Sequence, residues 1–211
     1  MFHTFICSLS GDQTKVGSSD PPARWSLYPR NNHPDETMAF RGFSDFGQVE
    51  VLPKLWLGCF VSSLNHDLLT KNSIGLVVNM TEFTTPMGER LDGVTYLRFA
   101  MADAWIENDA TMQRYNRLFS GAAAAIQRFR LEYPEKSVLV HCMAGINRSS
   151  TALGYHLIVH HGMAHDDVFS LLTRCNRQHR RVDCLTNKDF RSLLRELSNA
   201  TLAKRVTTNA V

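Results

Sequence analysis

No apolar run in this chain is long enough to cross a membrane, which excludes a spanning helix at the level of sequence. Met1 to Ser10 lack the basic n-region and long apolar core of a secretory signal. Residue 2 is Phe where myristoylation needs Gly, and the closing Thr208-Asn209-Ala210-Val211 carries no prenylation cysteine. A soluble protein is expected. Cysteines are few: five, an odd number without paired spacing, which argues against a disulfide framework and for a reducing compartment. The cytoplasm is the expected location, with the nucleus left open as a second. Metal-binding patterns are missing too, since there is no Cys-x-x-Cys and no His-Glu-x-x-His. His156 and His160 are spaced to share one helix face, but they read as surface or satisfied core histidines, and no metal or other cofactor is expected. Nor does one sign of charge prevail: 23 Lys and Arg against 20 Asp and Glu leave a net of +3 and a pI near 8.7. That balance suits mildly anionic substrates and falls short of a nucleic-acid footprint.

What the chain does have is concentrated in Ser137-Val-Leu-Val-His141-Cys142-Met143-Ala144-Gly145-Ile146-Asn147-Arg148-Ser149. Ser137 to Val140 read as a buried, β-branched strand and Arg148 to His161 as a helix, so His141 to Asn147 form a strand-to-helix loop. Such a loop aims backbone N–H groups at one point, to which the helix adds its positive end: an anion site. A helix terminus and a nearby guanidinium both favour a thiolate, which makes Cys142 a nucleophile beside an oxyanion cradle. Arg148, on the first helical turn, can return over the loop and bind two oxygens with its planar fork. Gly145 sits where a loop wrapping an anion needs positive φ or close backbone approach. Ser149 offers a hydroxyl to the sulfur, and His141 can hydrogen-bond nearby backbone.

The pattern His141-Cys142-x-x-Gly145-x-x-Arg148-Ser149 resembles the signature loop of the cysteine-dependent protein tyrosine phosphatases. Around it, Val51-Leu-Pro-Lys-Leu-Trp-Leu-Gly58, Ile74-Gly-Leu-Val-Val-Asn79 and the Asp103 turn follow in the order of that family's dual-specificity branch. The resemblance covers roughly residues 47 to 198. It implies a phosphoprotein phosphatase acting through a cysteinyl-phosphate, with Cys142, Arg148, Asp103 and Ser149 catalytic and His141, Met143, Ala144, Gly145, Ile146 and Asn147 forming the phosphate-binding loop. Such an enzyme would be a monomer with phosphorylated proteins as partners, and neither nucleic acid nor membrane. Three acids compete for the proton-donor role. Asp103 opens the polar loop after the alternating strand Val94 to Phe99, where the family carries its acid; Glu107 follows; Asp109 fits as N-cap of the next helix. The resemblance also places Arg177 near the pocket as a substrate contact, although Thr186 stands where the family usually has Pro. Met143, Ala144, Ile146 and Asn147 include no Lys or Arg, which disfavours multiply charged inositol phosphates. Phosphatases of RNA 5′ ends, phospholipid or glycogen, and a phosphate-binding scaffold without turnover, remain the alternatives.

Residues 1–46, rich in Ser, Asp, Pro and Asn, read as a mostly disordered arm. Residues 47–200 form the catalytic domain, and 201–211 a flexible tail. The domain is expected to be α/β: a small central mixed sheet of about five strands covered by helices, the strand ending at Cys142 lying centrally. Met112, Tyr115, Phe119, Ala122, Ile126 and Phe129 recur at helical steps and predict one core stripe. A last helix is expected near Asn187 to Leu197.

Overall fold

The computed structural model describes residues 47–208; the arm expected over 1–46, and residues 209–211, lie outside them. Five strands form one sheet in the order β1-β2-β5-β3-β4: β1 Gln48–Leu52, β2 Leu55–Gly58, β3 Ile74–Asn79, β4 Thr95–Arg98 and β5 Ser137–His141. Only β1 runs antiparallel to its neighbour, so the sheet is mixed, as expected, with β5 at its centre. Every residue of β3 and β5 is buried, the fate of a continuous apolar run covered on both faces. His141 is in register with Gly58 of β2 and Asn79 of β3, so the three strands end together. The loop after β5 therefore opens at the carboxyl edge of the sheet, where open α/β sheets place their ligands.

Among the described residues five α-helices pack on the sheet or on one another: α1 His66–Lys71, α2 Asp109–Glu132, α3 Arg148–His161, α4 His165–Arg180 and α5 Lys188–Thr208. The predicted stripe of α2 is the packed one, with Tyr115, Phe119, Ala122 and Ile126 buried and Met112 and Phe129 partly so. Phe119 meets Tyr155 of α3 at 5.2 Å and Phe190 of α5 at 5.4 Å, which locks three helices into one aromatic core.

Two boundaries differ from expectation. Asn108, not Asp109, caps α2: its backbone is extended and its Oδ1 accepts the Thr111 N–H at 2.9 Å. Asp109 becomes the first helical residue, where its charge complements the helix dipole. The last helix runs on to Thr208, so helix replaces most of the tail expected from residue 201. No Gly or Pro interrupts residues 198–208, and Arg205 donates to the Gly162 carbonyl at 3.2 Å, tying the extension to the end of α3. Gly162 itself closes α3 at φ 71°, the left-handed position for which glycine is suited.

Two histidines are held neutral inside this domain. Burial pushes His156 down to about 3, helped by His161 and His160, whose rings lie 5.1 and 5.3 Å away. Burial likewise takes His141 down to about 4. Unfolding restores the ordinary value near 6.5, so between pH 6.5 and these values the unfolded chain binds protons that the folded chain refuses. Stability is then full above pH 6.5 and falls as pH drops, by about 1.4 kcal/mol per pH unit for each such histidine. Denaturant titrations from pH 7 to 4.5 are expected to show that loss, and His156→Leu to remove one histidine's share of the slope.

Candidate active site

The loop between β5 and α3 is shaped from outside. Five successive carbonyls are tied away from its interior. Met143 O accepts from Phe60 N at 3.0 Å, Ala144 O from Arg180 Nη2 at 2.6 Å, and Gly145 O from Arg180 Nη1 at 2.7 Å. Ile146 O accepts from Leu185 N at 2.9 Å and Asn147 O from Thr151 N at 2.8 Å. A trans peptide sets its N–H opposite its C=O, so the amides of residues 144–148 face the other side. Cys142 Sγ lies on that side, accepting from Gly145 N at 3.2 Å and Ser149 Oγ at 3.3 Å. The thiol is 1% exposed. Gly145 has φ +68°, and a Cβ there would run into the Gly58 carbonyl and approach the Arg180 guanidinium at 2.6 Å. Both reasons for glycine hold at once.

Behind the loop, His141 Nδ1 contacts the Cys142 carbonyl at 3.2 Å. Burial keeps its imidazole neutral, and the Arg148 charge acts in the same direction. His141 thus props the loop without adding charge to it. Arg148 is 9% exposed and donates Nη1 to Met101 O at 3.0 Å, while its Nε has no hydrogen-bond acceptor among the described residues, only Asp103 Oδ2 at 3.8 Å. Part of its fork is thus left for an anion.

Of the three competing acids, Asp103 is the one brought to the loop. Asn147 Nδ2 reaches both its carboxylate oxygens at 3.3 Å, and Asn187 Nδ2 reaches Oδ1 at 3.4 Å. Glu107 is exposed, and Asp109 belongs to the first turn of α2. A buried thiol at the focus of backbone amides, a guanidinium with donors to spare and a carboxylate across the opening are together equipped to attack a phosphoryl group, hold its oxygens and supply a proton.

Residues 55–200 match the family model for the dual specificity phosphatase catalytic domain, more than half of the chain. The chain belongs to the dual specificity phosphatase family. It is 31% identical over 126 residues to human dual specificity protein phosphatase 7, covering 60% of this chain and 28% of that protein. To mouse dual specificity protein phosphatase 6 it is 30% identical over 124 residues, covering 59% and 30%. The chain thus spans under a third of the length of these curated relatives. A crystal structure of DUSP15 superposes with a TM-score of 0.58 at 29% identity, covering 72% of this chain and 88% of that one. The structure of a human tyrosine phosphatase-like serine/threonine/tyrosine-interacting protein does so at 0.58 and 26%, covering 74% and 99%.

Within this family domain Arg177, expected as a substrate contact, lies on the exposed side of α4. It pairs with Asp183 at 2.5 Å, with about two-thirds of its side chain exposed. Val168, Leu172, Asn176 and Arg180 follow one another at steps of four and are all buried, which puts Arg177 a residue off the inward stripe of α4. Arg180 is the side chain that turns inward, held by Asn176 Oδ1 at 2.6 Å and grasping the phosphatase loop by two carbonyls.

Proposed function

We propose that the protein hydrolyses phosphotyrosine and phosphoserine or phosphothreonine in protein substrates through a cysteinyl-phosphate intermediate. The observation that carries this reading is the outward tethering of every carbonyl from Met143 to Asn147, which leaves the opposing amides around Cys142 Sγ. Cys142 attacks phosphorus in line with the ester oxygen, the P–O bond breaks, and Asp103 gives its proton to the leaving oxygen. Arg148 and the loop amides hold the equatorial oxygens throughout. Water then attacks phosphorus, the S–P bond breaks, and the water's proton passes to the Asp103 carboxylate. The departing sulfur keeps its hydrogen bond from Ser149, and inorganic phosphate leaves. These steps need no cofactor.

The substrate class follows from the rim. Met143, Ala144, Ile146 and Asn147 add no positive charge around the loop, so a singly phosphorylated side chain suits it better than a multiply charged lipid head. We take the protein to act as a monomer in the cytoplasm or nucleus, on phosphorylated proteins. Turnover of a chromogenic aryl phosphate, followed by matched phosphotyrosine and phosphothreonine peptides beside 5′-triphosphorylated RNA, phosphoinositide vesicles and phosphoglycogen, tests this. Both peptides are expected to be hydrolysed, and faster than the other three. Preferred turnover of a non-protein substrate overturns the substrate class, and phosphopeptide binding with no turnover of any substrate makes the protein a scaffold.

A further inference from the structure

At the Asn147 end of the phosphate loop lies a cleft of about 440 Å³ lined by Asp103, Ala104, Trp105, Asn147, Thr186 and Asn187. It shares Asp103 with the catalytic site and Asn147 with the phosphate loop, so a peptide whose phosphate sits on the loop runs past it. Most of its polar groups already have partners. Asn147 spends its amide N–H on Asp103, and its Oδ1 on the Thr186 hydroxyl at 3.1 Å and the Asn187 N–H at 3.0 Å. Asn187 spends its own amide on Asp103 and the Ala104 carbonyl, and its Oδ1 on the Asp189 N–H at 3.0 Å. The Thr186 hydroxyl is a bond that the family's usual proline would not supply.

Trp105 is the exception, 65% exposed. An indole this open would ordinarily swing with its loop, but the backbone on either side is braced. The Ala104 carbonyl is held by Asn187, and the Ile106 N–H donates to Asp189 Oδ2 at 2.7 Å, fixing the segment to the start of α5. A large aromatic face thus stands on pinned backbone at the rim of a cleft whose other walls are mostly polar, Asp103, Asn147, Thr186 and Asn187, with those side chains bonded to one another. The apolar contact this cleft offers is the Trp105 face, on which a large side chain can stack.

We infer that this cleft is a substrate subsite, with Trp105 as its wall, taking a large apolar side chain on a residue next to the phosphorylated one. The inference rests on the phosphatase reading for its orientation, since the phosphate must occupy the Cys142 loop. It makes Trp105 a specificity-determining residue.

Two measurements decide it separately from that reading. In the first, matched phosphotyrosine peptides carrying Leu or Phe, Ala, or Lys at each flanking position are titrated against the Cys142→Ser variant, which needs no turnover. At one flanking position Leu or Phe should bind about tenfold tighter than Ala, the scale of an apolar pocket's discrimination. In the second, the same series is hydrolysed by the wild type, with the preference appearing in kcat/KM. Trp105→Ala should erase the preference and Trp105→Phe should retain much of it. Equal binding of Leu, Phe and Ala peptides at both flanks overturns the inference, as does a preference that survives Trp105→Ala. Failure of the wild type to turn over an aryl phosphate overturns the phosphatase reading instead, while the binding series still decides the subsite.

Discussion

Cys142→Ser is expected to lower kcat on aryl phosphates by about 10⁵-fold or more, the scale on which an enzyme loses a covalent nucleophile, while phosphopeptide binding survives. The two halves have different physical origins. Turnover needs a sulfur that can bond to phosphorus and leave again, and an alcohol in the same place is a far weaker nucleophile and a poorer leaving group. Binding needs the amides opposed to the five tethered carbonyls and the spare donors of Arg148, none of which the substitution removes. Two measurements check the separation. Rapid acid quenching should trap a phosphorylated enzyme from the wild type and none from the variant, and fluorescence titration should give phosphopeptide affinities within a few-fold of each other. Residual turnover above a few per cent removes Cys142 from the nucleophile's role.

What the sequence made legible is what it writes contiguously. Cys142, Gly145, Arg148 and Ser149 lie within one strand-loop-helix unit, so residue type and spacing were enough to foresee that they converge. The central position of β5 followed similarly from an uninterrupted apolar strand. Arg180 was invisible for the opposite reason. It lies far along the chain from the carbonyls it grips, and its direction depends on the phase of α4. Val168 and Leu172 mark the inward face of that helix, but the stripe continues into Asn176 and Arg180, where its polarity breaks the hydrophobic pattern. A stripe continued at steps of four, whatever its polarity, would have chosen Arg180 over Arg177. Helix in place of the expected tail has a similar origin, because what holds 198–208 is not apolar periodicity alone but the bond from Arg205 to the glycine that ends α3. Long-range side-chain-to-backbone bonds leave no local signature.

Asp103→Ala is expected to slow hydrolysis of poor leaving groups by about 10²- to 10⁴-fold, the usual contribution of a positioned general acid, and activated aryl phosphates much less. The difference follows from where the proton is needed. A nitrophenolate departs without help, whereas the alkoxide of serine or threonine is too basic to leave unprotonated, so the loss should grow with leaving-group basicity. Glu107→Ala is the control, since the bonds from Asn147 and Asn187 that tie Asp103 to the loop have no counterpart at Glu107 among the described residues. The placement of Asp103 adds a further expectation. Its carboxylate is held by Asn147 at the end of the phosphate loop and by Asn187 at the start of α5, so acid and loop are positioned by the same two amides. Asn147→Ala should therefore lower kcat on phosphothreonine peptides more than on nitrophenyl phosphate, repeating the Asp103→Ala pattern at smaller amplitude. Equal losses on both substrates would place Asn147 in phosphate binding alone, and a larger loss from Glu107→Ala than from Asp103→Ala would transfer the proton-donor role to Glu107.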